Sequence, residues 1–280
     1  MKVFTTIKET SDYLSRQKAE GMQIGFVPTM GALHEGHLSL MQRAKEENDL
    51  LAVSVFVNPI QFNNAADLEK YPRDLDRDRK LLEQIGCDVL FAPDVEEMYP
   101  EPETTAYDFG PLERVMEGAS RKGHFNGVAI VVRKLFGIIG PQKAYFGEKD
   151  FQQLAIIQEL VRQYKLPVEI VPCPIVREPD GLAMSSRNER LTAEERKIAP
   201  EIYRILQAAK AKIDELNPSE LKKWVEEQFD KEPEFRLDYF EIADDTYLQP
   251  VENWDNNKGI MGFVAVFLGN VRLIDNIRFI

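Results

Sequence analysis

The chain has 280 residues, 44% of them hydrophobic, and a formal net charge of -12 at pH 7. This length and composition predict a globular protein, with two domains favoured over one. The chain is acidic and has no cluster of basic residues along its sequence, which disfavours a nucleic-acid-binding surface. The first residues lack an apolar signal segment, and the run VAIVVRKLFGII is interrupted by Arg133 and Lys134, so we expect neither secretion nor membrane insertion. Cys87 and Cys173 show no pairing pattern, which fits a reducing compartment and two core residues.

The first part of the chain alternates short apolar runs with amphipathic segments, which predicts a parallel sheet covered by helices. The candidate strands are MQIGFVP, LLAVSVFV, CDVLFAP and KAYFG. The candidate helices are HEGHLSLMQRAKEEN, DLDRDRKLLEQI, NGVAIVVRKLFGII and DFQQLAIIQELVRQY, with Gly86 closing the second and Gly140 the third. The predicted fold class is α/β, a Rossmann-like parallel sheet with helices on both faces, in a domain of residues 1–174.

The segment VPCPIVREPDGLAMSSRNERL breaks this alternation with three prolines and a glycine, which predicts a crossover between domains. Residues 192–230 are predicted to be helical, with a break at Pro200 and a new helix opening at Asn217-Pro218-Ser219. FRLDYFEIADD and MGFVAVFLGNVRLIDNI, the latter with Gly269-Asn270 at a turn, predict antiparallel strands. We therefore expect residues 175–280 to form a smaller α+β lid domain with an antiparallel sheet and the MSSR loop.

Two of the three histidines, His34 and His37, lie three positions apart after the strand MQIGFVP. The turn at residues 28–31 would then lie at the carboxyl end of the sheet, where open α/β folds bind ligands. Histidines at i and i+3 share one face of the first helical turn, and imidazole donors at a helix N-terminus suit phosphate oxygens. Simple capping of the helix is an equally open interpretation. A zinc site with His124 is a weaker one, because the metalloprotease spacing is i and i+4.

Three further segments carry polar side chains at strand ends or at the domain junction. GEKDFQQL places Lys149 and Asp150 at a helix start, as a phosphate clamp or as ordinary capping. NPIQF places Gln61 after the strand LLAVSVFV, to bind hydroxyl and carboxylate groups or to pack at the core rim. AMSSRNERL offers donors between Ser185 and Asn188 to a triphosphate, although a linker would be equally polar. Because all four segments converge, we predict that they line a single cleft.

Taken together, these segments resemble the pantothenate synthetase family, the pantoate:beta-alanine ligases of the nucleotidyltransferase group with an H-x-G-H signature. The resemblance covers essentially the whole chain, on the motifs PTMGALHEGH, FVNPIQF, YPRDLDRD, GHFNGV, YFGEKDFQQL and MSSRN. It implies a ligase that uses ATP to join pantoate to beta-alanine through a pantoyl adenylate, releasing AMP and diphosphate. It also implies Mg²⁺ delivered with ATP and a cytoplasmic homodimer, without nucleic-acid or membrane partners.

The same resemblance implies roles for individual residues. His37 would donate a proton, His34 would contact phosphate, and Lys149 and Arg187 would supply positive charge to the reaction. Pantoate would be held by two glutamines, Gln61 and Gln153. The ATP site would comprise Met30, Gly31, Ala32, Leu33, His34, Glu35, Gly36, His37, Gly147, Glu148, Lys149, Asp150, Val176, Met184, Ser185, Ser186 and Arg187.

Two positions depart from related sequences. SRKGHF has Lys122 where the family usually has proline, which leaves the role of His124 open. MSSR stands where other synthetases of the wider group carry K-M-S-K-S, so Ser186 takes the second lysine's position and Arg187 supplies the charge. Three alternative functions are a nucleotidyltransferase acting on a phosphorylated acceptor, a nucleotide-sensing module without turnover, and a zinc hydrolase that uses the three histidines.

Overall fold

The computed structural model describes residues 1–63, 68–69, 71–254 and 259–280. The chain divides into two units. The first comprises Met1–Phe109, Arg121–Glu148 and Ile156–Pro174, and the second comprises Gly110–Ser120, Lys149–Ala155 and Ile175–Ile280. The second unit thus includes two short segments that precede residue 174. A division of the chain into folding domains at residues 174 and 175 stays a prediction.

A six-stranded parallel sheet forms the centre of the first unit. Its strands are β1 (Lys2–Phe4), β2 (Ile24–Thr29), β3 (Leu50–Val55), β4 (Val89–Phe91), β5 (Lys143–Gly147) and β6 (Glu169–Cys173). They lie side by side in the order β1-β4-β3-β2-β5-β6, and every neighbouring pair is parallel. The direction of winding therefore reverses between β2 and β5, which is the position at which open α/β sheets bind ligands. The predicted Rossmann-like sheet is confirmed.

Helices cover both faces of this sheet. The α-helices whose two ends lie within the described residues are α1 (Ile7–Ala19), α2 (Glu35–Glu47), α3 (Leu75–Gln84), α4 (Val95–Met98), α5 (Met116–Ser120), α6 (His124–Ile139), α7 (Phe151–Tyr164), α8 (Ala193–Ile198), α9 (Glu201–Lys210) and α10 (Pro218–Asp230). On one face, Val27 of β2 forms a core with Met41 of α2 and Leu82 of α3. On the other face, Phe26 packs edge-on against Phe136 of α6, with ring centroids 6.4 Å apart. This arrangement follows from the alternation of side chains along a strand.

The four strands and four helices predicted for this part of the chain are all present, to within two residues at each end. The sequence patterns do not predict α1, β1 or β6. β1 has only three residues, none of them buried. The prediction of a crossover is wrong for Val171–Cys173, which belongs to β6. Pro172 fits there because β6 is an edge strand, where the missing N–H of proline leaves no neighbouring acceptor unpaired.

The second unit contains a three-stranded antiparallel sheet, as predicted. Its strands are β7 (Phe235–Asp244), β8 (Ile260–Leu268) and β9 (Val271–Arg278), in that order. Gly269, at the turn between β8 and β9, has a φ of 55°, which glycine adopts without strain. Helices α9 and α10 pack on this sheet through a buried core that includes Leu206, Val225, Phe240 and Val264. Pro200 separates α8 from α9, and Asn217 caps α10, both as predicted.

The two cysteines are buried as free thiols, as the sequence predicts. Burial raises the pKa of Cys87 to about 12, so its thiol stays protonated and unreactive at neutral pH. Across the part of the chain that the structure describes, none of the helices combines the length and apolarity that crossing a bilayer requires.

Candidate functional site

The turn after β2, which leads to the two histidines, is tightly folded. Thr29 Oγ1 accepts the N–H of Gly31 at 3.2 Å and donates to the carbonyl oxygen of Ser54 at 2.8 Å. Gly31 and Ala32 have φ values of 80° and 51°, so two successive residues adopt a left-handed conformation. That conformation is easy for glycine but strained for Ala32. The turn therefore needs support from its neighbours.

His34 and His37 both lie at the N-terminus of α2. His34 is the N-cap residue, and its Nδ1 accepts the N–H of Gly36 at 3.2 Å. Nδ1 of His37 accepts the N–H of His34 at 3.4 Å, and the two ring centroids are 4.0 Å apart. A neutral imidazole that accepts at Nδ1 carries its hydrogen at Nε2. Capping the helix and donating to a ligand are therefore compatible, because they use different ring nitrogens.

Gln61 lies beside this turn. It ends the 3₁₀ turn Pro59–Gln61 that follows β3, and its Nε2 is 2.8 Å from Sδ of Met30. Nδ2 of Asn58 donates to Oε1 of Gln61 at 3.1 Å. The buried His124 places Nδ1 2.8 Å from the carbonyl oxygen of Gln61. The first unit thus brings together the turn at Met30, Gln61 and His124.

Two buried polar residues organise these segments, although the sequence patterns assign neither of them a role. Asp78 of α3 accepts the N–H groups of Ala32 and Leu33 at 3.0 and 2.9 Å. Burial raises the pKa of the Asp78 carboxyl, and the two N–H donors oppose that shift. Asn58 accepts the hydroxyl hydrogen of Tyr99 at 2.9 Å. The helical period offers a signal for Asp78, since it lies one turn before a buried leucine at position 82 and so faces the core.

The end of β5 lies at the same edge of the sheet as the histidine-bearing turn. β5 pairs in parallel with β2, with Gly25 opposite Lys143 and Phe26 opposite Ala144. Gly147 ends β5 and Glu148 follows it. Because parallel neighbours end at one edge, the residues after β2 and those after β5 flank the reversal of strand order.

Lys149 and Asp150 belong to the second unit. Asn276 of β9 donates from Nδ2 to the carbonyl oxygen of Lys149 at 3.1 Å. Nζ of Lys149 lies 3.8 Å from Oδ2 of Asp150, and the lysine side chain is only 16% exposed. Lys149 is therefore not the solvated lysine that the capping interpretation requires. Gln153 is half-buried in the first turn of α7.

Val176 and the segment at residues 184–187 are brought together within the second unit. The N–H of Met184 donates to the carbonyl oxygen of Val176 at 3.0 Å. Ser185 caps the 3₁₀ turn Ser186–Arg190, because its Oγ accepts the N–H of Arg187 at 3.2 Å. The MSSR segment is therefore locally ordered by its own hydrogen bonds, which a featureless linker would not be.

A buried ion pair fixes the chain between Val176 and the MSSR segment. Arg177 binds both carboxylate oxygens of Asp275 in β9, at 2.6 and 2.9 Å. Its guanidinium carbon lies 3.6 Å from the ring centroid of Tyr203. Burial raises the pKa of the Asp275 carboxyl, and pairing with Arg177 opposes that shift. Since β9 also holds the carbonyl of Lys149, one strand anchors two of the predicted nucleotide-binding segments.

The structure gives the zinc-hydrolase alternative no support. Within residues 1–63, 68–69, 71–254 and 259–280, no group of three or more His, Cys, Asp or Glu residues has the arrangement of a metal site. Nδ1 of His34 accepts the N–H of Gly36, Nδ1 of His37 accepts the N–H of His34, and Nδ1 of His124 contacts the carbonyl oxygen of Gln61.

The parallel sheet, its reversed strand order and the histidine-bearing helix start at that reversal define a Rossmann-like α/β protein. A family model described as pantoate-beta-alanine ligase matches residues 2–278. The chain belongs to the pantoate-beta-alanine ligase family.

Named relatives agree with this assignment. A pantothenate synthetase from Bacteroides fragilis strain YCH46 is 56% identical over 279 residues, covering 100% of this chain and 99% of that protein. The crystal structure of pantothenate synthetase from Thermus thermophilus has a TM-score of 0.93 and 48% identity, covering 100% of this chain and 99% of that one. Pantoate-beta-alanine ligase from Francisella tularensis, crystallised with beta-gamma ATP and beta-alanine, has a TM-score of 0.82 and 37% identity. The match covers 100% of this chain and 98% of that one.

Proposed function

We propose that this chain joins pantoate to beta-alanine with ATP, through a pantoyl adenylate, and releases AMP and diphosphate. The observation that carries the proposal is the family match over residues 2–278, which spans segments of both units. The Francisella tularensis relative was crystallised with beta-gamma ATP and beta-alanine, which correspond to two of the three substrates. The position of the H-x-G-H turn, where the strand order reverses, supports the same reaction.

The first step requires charge neutralisation more than proton transfer. The pantoate carboxylate is already ionised at neutral pH, because the reference pKa of such groups is about 4. It can attack the α-phosphate of ATP without a general base, provided that the reactants are aligned and the departing diphosphate is stabilised. The Nε2–H groups of His34 and His37 and the N-terminus of α2 supply donors suited to that charge.

We assign the remaining substrate contacts to the predicted residues. Lys149 and Arg187 carry the positive charges of the ATP site, and Asp150 binds on the ribose side of ATP. Gln61 and Gln153 hold pantoate. The other ATP-binding residues are Met30, Gly31, Ala32, Leu33, Glu35, Gly36, Gly147, Glu148, Val176, Met184, Ser185 and Ser186. The hydrogen bond between Gln61 and Met30 supports a pantoate site next to the nucleotide site in the first unit.

Three further properties complete the proposal. Mg²⁺ enters with ATP, because this ion is commonly held by substrate phosphates together with only one or two carboxylates. The protein acts as a homodimer, as the family resemblance implies. Its location is the cytoplasm, which fits two free and buried cysteines.

The decisive test combines purified protein with ATP, Mg²⁺, pantoate and beta-alanine. We expect AMP and pantothenate only when all four are present, and diphosphate release with a bound adenylate when beta-alanine is omitted. A nucleotidyltransferase that acts on a phosphorylated acceptor would instead leave a stable nucleotidylated product and no amide. Absence of pantothenate from the complete mixture would overturn the proposal.

Replacing Lys149 with methionine tests the proposed phosphate contact. Methionine keeps most of the buried apolar stem and removes the charge, and the bond from Asn276 to the backbone carbonyl remains. We expect kcat/KM for ATP to fall by about 10-fold to 100-fold, the scale of losing a charged contact. Thermal unfolding should change little. The exposed Lys223→Met is the matched control and should retain full turnover. Equal ATP kinetics in the two variants would contradict the assignment.

Replacing Gly127 with alanine tests the packing behind Gln61. A Cβ at Gly127 would lie 2.5 Å from the carbonyl oxygen of Ile60 and 2.6 Å from Cα of Gln61, which are backbone atoms. We therefore expect the 3₁₀ turn to shift, with a loss of about 1–3 kcal/mol in the free energy of unfolding and a raised KM for pantoate. Gly137→Ala on the same helix is the control, because its Cβ would meet nothing within 4 Å. If both variants behaved alike, α6 would not set the position of Gln61.

A further inference from the structure

The turn that leads to the histidines is held by one carboxylate from a distant part of the chain. Asp78 of α3 is 1% exposed. Its Oδ2 accepts the N–H of Ala32 at 3.0 Å, and its Oδ1 accepts the N–H of Leu33 at 2.9 Å. The two partners are 46 and 45 positions away along the chain. Hydrogen bonds to an ionised carboxylate are about twice as strong as those between neutral groups.

The backbone at this contact is strained in a way that the carboxylate can offset. Ala32 has a φ of 51°, a left-handed value that a residue with a Cβ rarely adopts. The carboxylate also packs directly against the turn, because a Cβ at Gly31 would lie only 2.8 Å from Oδ2 of Asp78. A conformation of this kind persists only where surrounding groups hold it in place.

The anchored residues lead straight into the proposed nucleotide site. Leu33 is followed by His34, the N-cap of α2, and His34 in turn donates its N–H to Nδ1 of His37. A displacement at Ala32 or Leu33 would therefore move both imidazoles. Burying a carboxylate is unfavourable in itself, so the packing of α3 gains nothing from the charge of Asp78. The hydrogen bonds to the turn are what compensate for its burial.

We propose that Asp78 is a positioning residue: its two hydrogen bonds hold Ala32 in the left-handed conformation and so place His34 and His37 for the nucleotide. This inference rests on the proposed function, because it assumes that the two histidines act on ATP. Asp78 itself touches neither substrate nor the reacting atoms in this role. It acts through the backbone of the turn.

The first test compares Asp78→Asn with Asp76→Asn. Asparagine keeps the size of Asp78 but turns an amide N–H₂ toward one of the two backbone donors, so one bond is lost. We expect kcat/KM for ATP to fall by about 10-fold to 100-fold, with a much smaller change in KM for beta-alanine. Asp76 lies on the same helix and is exposed, so Asp76→Asn should match the unaltered protein. ATP kinetics of Asp78→Asn equal to those of Asp76→Asn would overturn the proposal.

The second test asks whether relief of the strain restores function. In the double variant Asp78→Asn/Ala32→Gly, glycine adopts the left-handed conformation without the anchor. We expect it to recover about fivefold or more of the lost kcat/KM, the scale of removing one strained residue. A merely structural role for Asp78 in α3 would give no recovery. A double variant no better than Asp78→Asn would therefore overturn the positioning role.

Hydrogen exchange of the backbone gives a readout that does not depend on turnover. We expect faster exchange in Asp78→Asn at the amides of Ala32 and Leu33, with exchange in α3 unchanged. If Asp78→Asn does not fold, Asp78→Ala removes both acceptors without introducing an amide donor, and the same acceleration is expected. Unchanged exchange at these amides would overturn the anchor. Absence of pantothenate synthesis by the unaltered protein would overturn the proposed function instead, while the exchange result would stand.

Discussion

Replacing His37 with alanine should lower kcat for pantothenate synthesis by about 10²-fold or more, the scale of losing one preorganised donor. The physical reason is that, in the proposed mechanism, the Nε2–H of His37 stabilises charge that grows on the phosphates in the transition state more than it stabilises bound ATP. KM for ATP should therefore change less than kcat. Steady-state AMP formation with saturating substrates measures kcat, and diphosphate release without beta-alanine assigns the loss to the first step.

Two further substitutions separate this donor from the capping role of the same side chain. His37→Asn can keep an acceptor for the N–H of His34, which Nδ1 now accepts at 3.4 Å, but it does not reach the position of Nε2. His37→Gln places an amide donor near that position. We expect normal thermal stability with low kcat for His37→Asn, and a smaller loss of kcat for His37→Gln. Near-normal turnover by His37→Asn would mean that capping is the whole function of the ring.

The largest effect on stability should come from Asp275→Ala. This substitution leaves Arg177 without the carboxylate that binds both of its terminal nitrogens, in a site where the two side chains are only 17% and 3% exposed. Removal of one partner from a buried pair lowers the free energy of unfolding by about 3–5 kcal/mol, because a charge is left buried and uncompensated. Urea unfolding of the purified protein measures this change.

A second ion pair that involves β9 provides the control. Arg278 pairs with Asp245 at 2.9 Å, and these side chains are 49% and 27% exposed. Asp245→Ala should lower the free energy of unfolding by no more than about 1 kcal/mol, because water solvates the remaining arginine. The double variant Arg177→Met/Asp275→Ala should be more stable than Asp275→Ala alone, since no buried charge remains. If Asp275→Ala and Asp245→Ala lowered the free energy of unfolding equally, burial would not be the reason for the large effect of Asp275→Ala.

The sequence predicts the central elements of the fold because their signals are local. The apolar runs of β2, β3, β4 and β5 and the amphipathic helices between them can be recognised within short windows. β6 could not be recognised in this way, because Pro172 is compatible with a strand only where that strand lies at an edge. Edge position depends on the order of strands in space. No window of sequence contains that information.

In the candidate site, too, features with local sequence signals are predictable and features that depend on long-range contacts are not. The polar segments at His34, Gln61 and Gly147 are predictable, because they follow recognisable strands. The residues that hold these segments in position are not predictable, since their role depends on contacts between residues that are distant in the sequence. Asp78 appears in the sequence as one charge among several in RDLDRDR, and only the fold shows it bonded to Ala32. Local sequence thus predicts the polar residues at the strand ends better than the residues that hold them in position.

The position of β2 between β3 and β5 has a consequence for synthesis on the ribosome. β2 can pair with β3 once residue 55 has emerged, but its other side stays unpaired until Lys143–Gly147 has been made. For most of that interval the nascent chain exposes the backbone N–H and C=O groups of Ile24–Thr29, which can pair with another chain. Fragments that end before residue 143 should therefore aggregate, whereas fragments that include β5 should be protected at this strand.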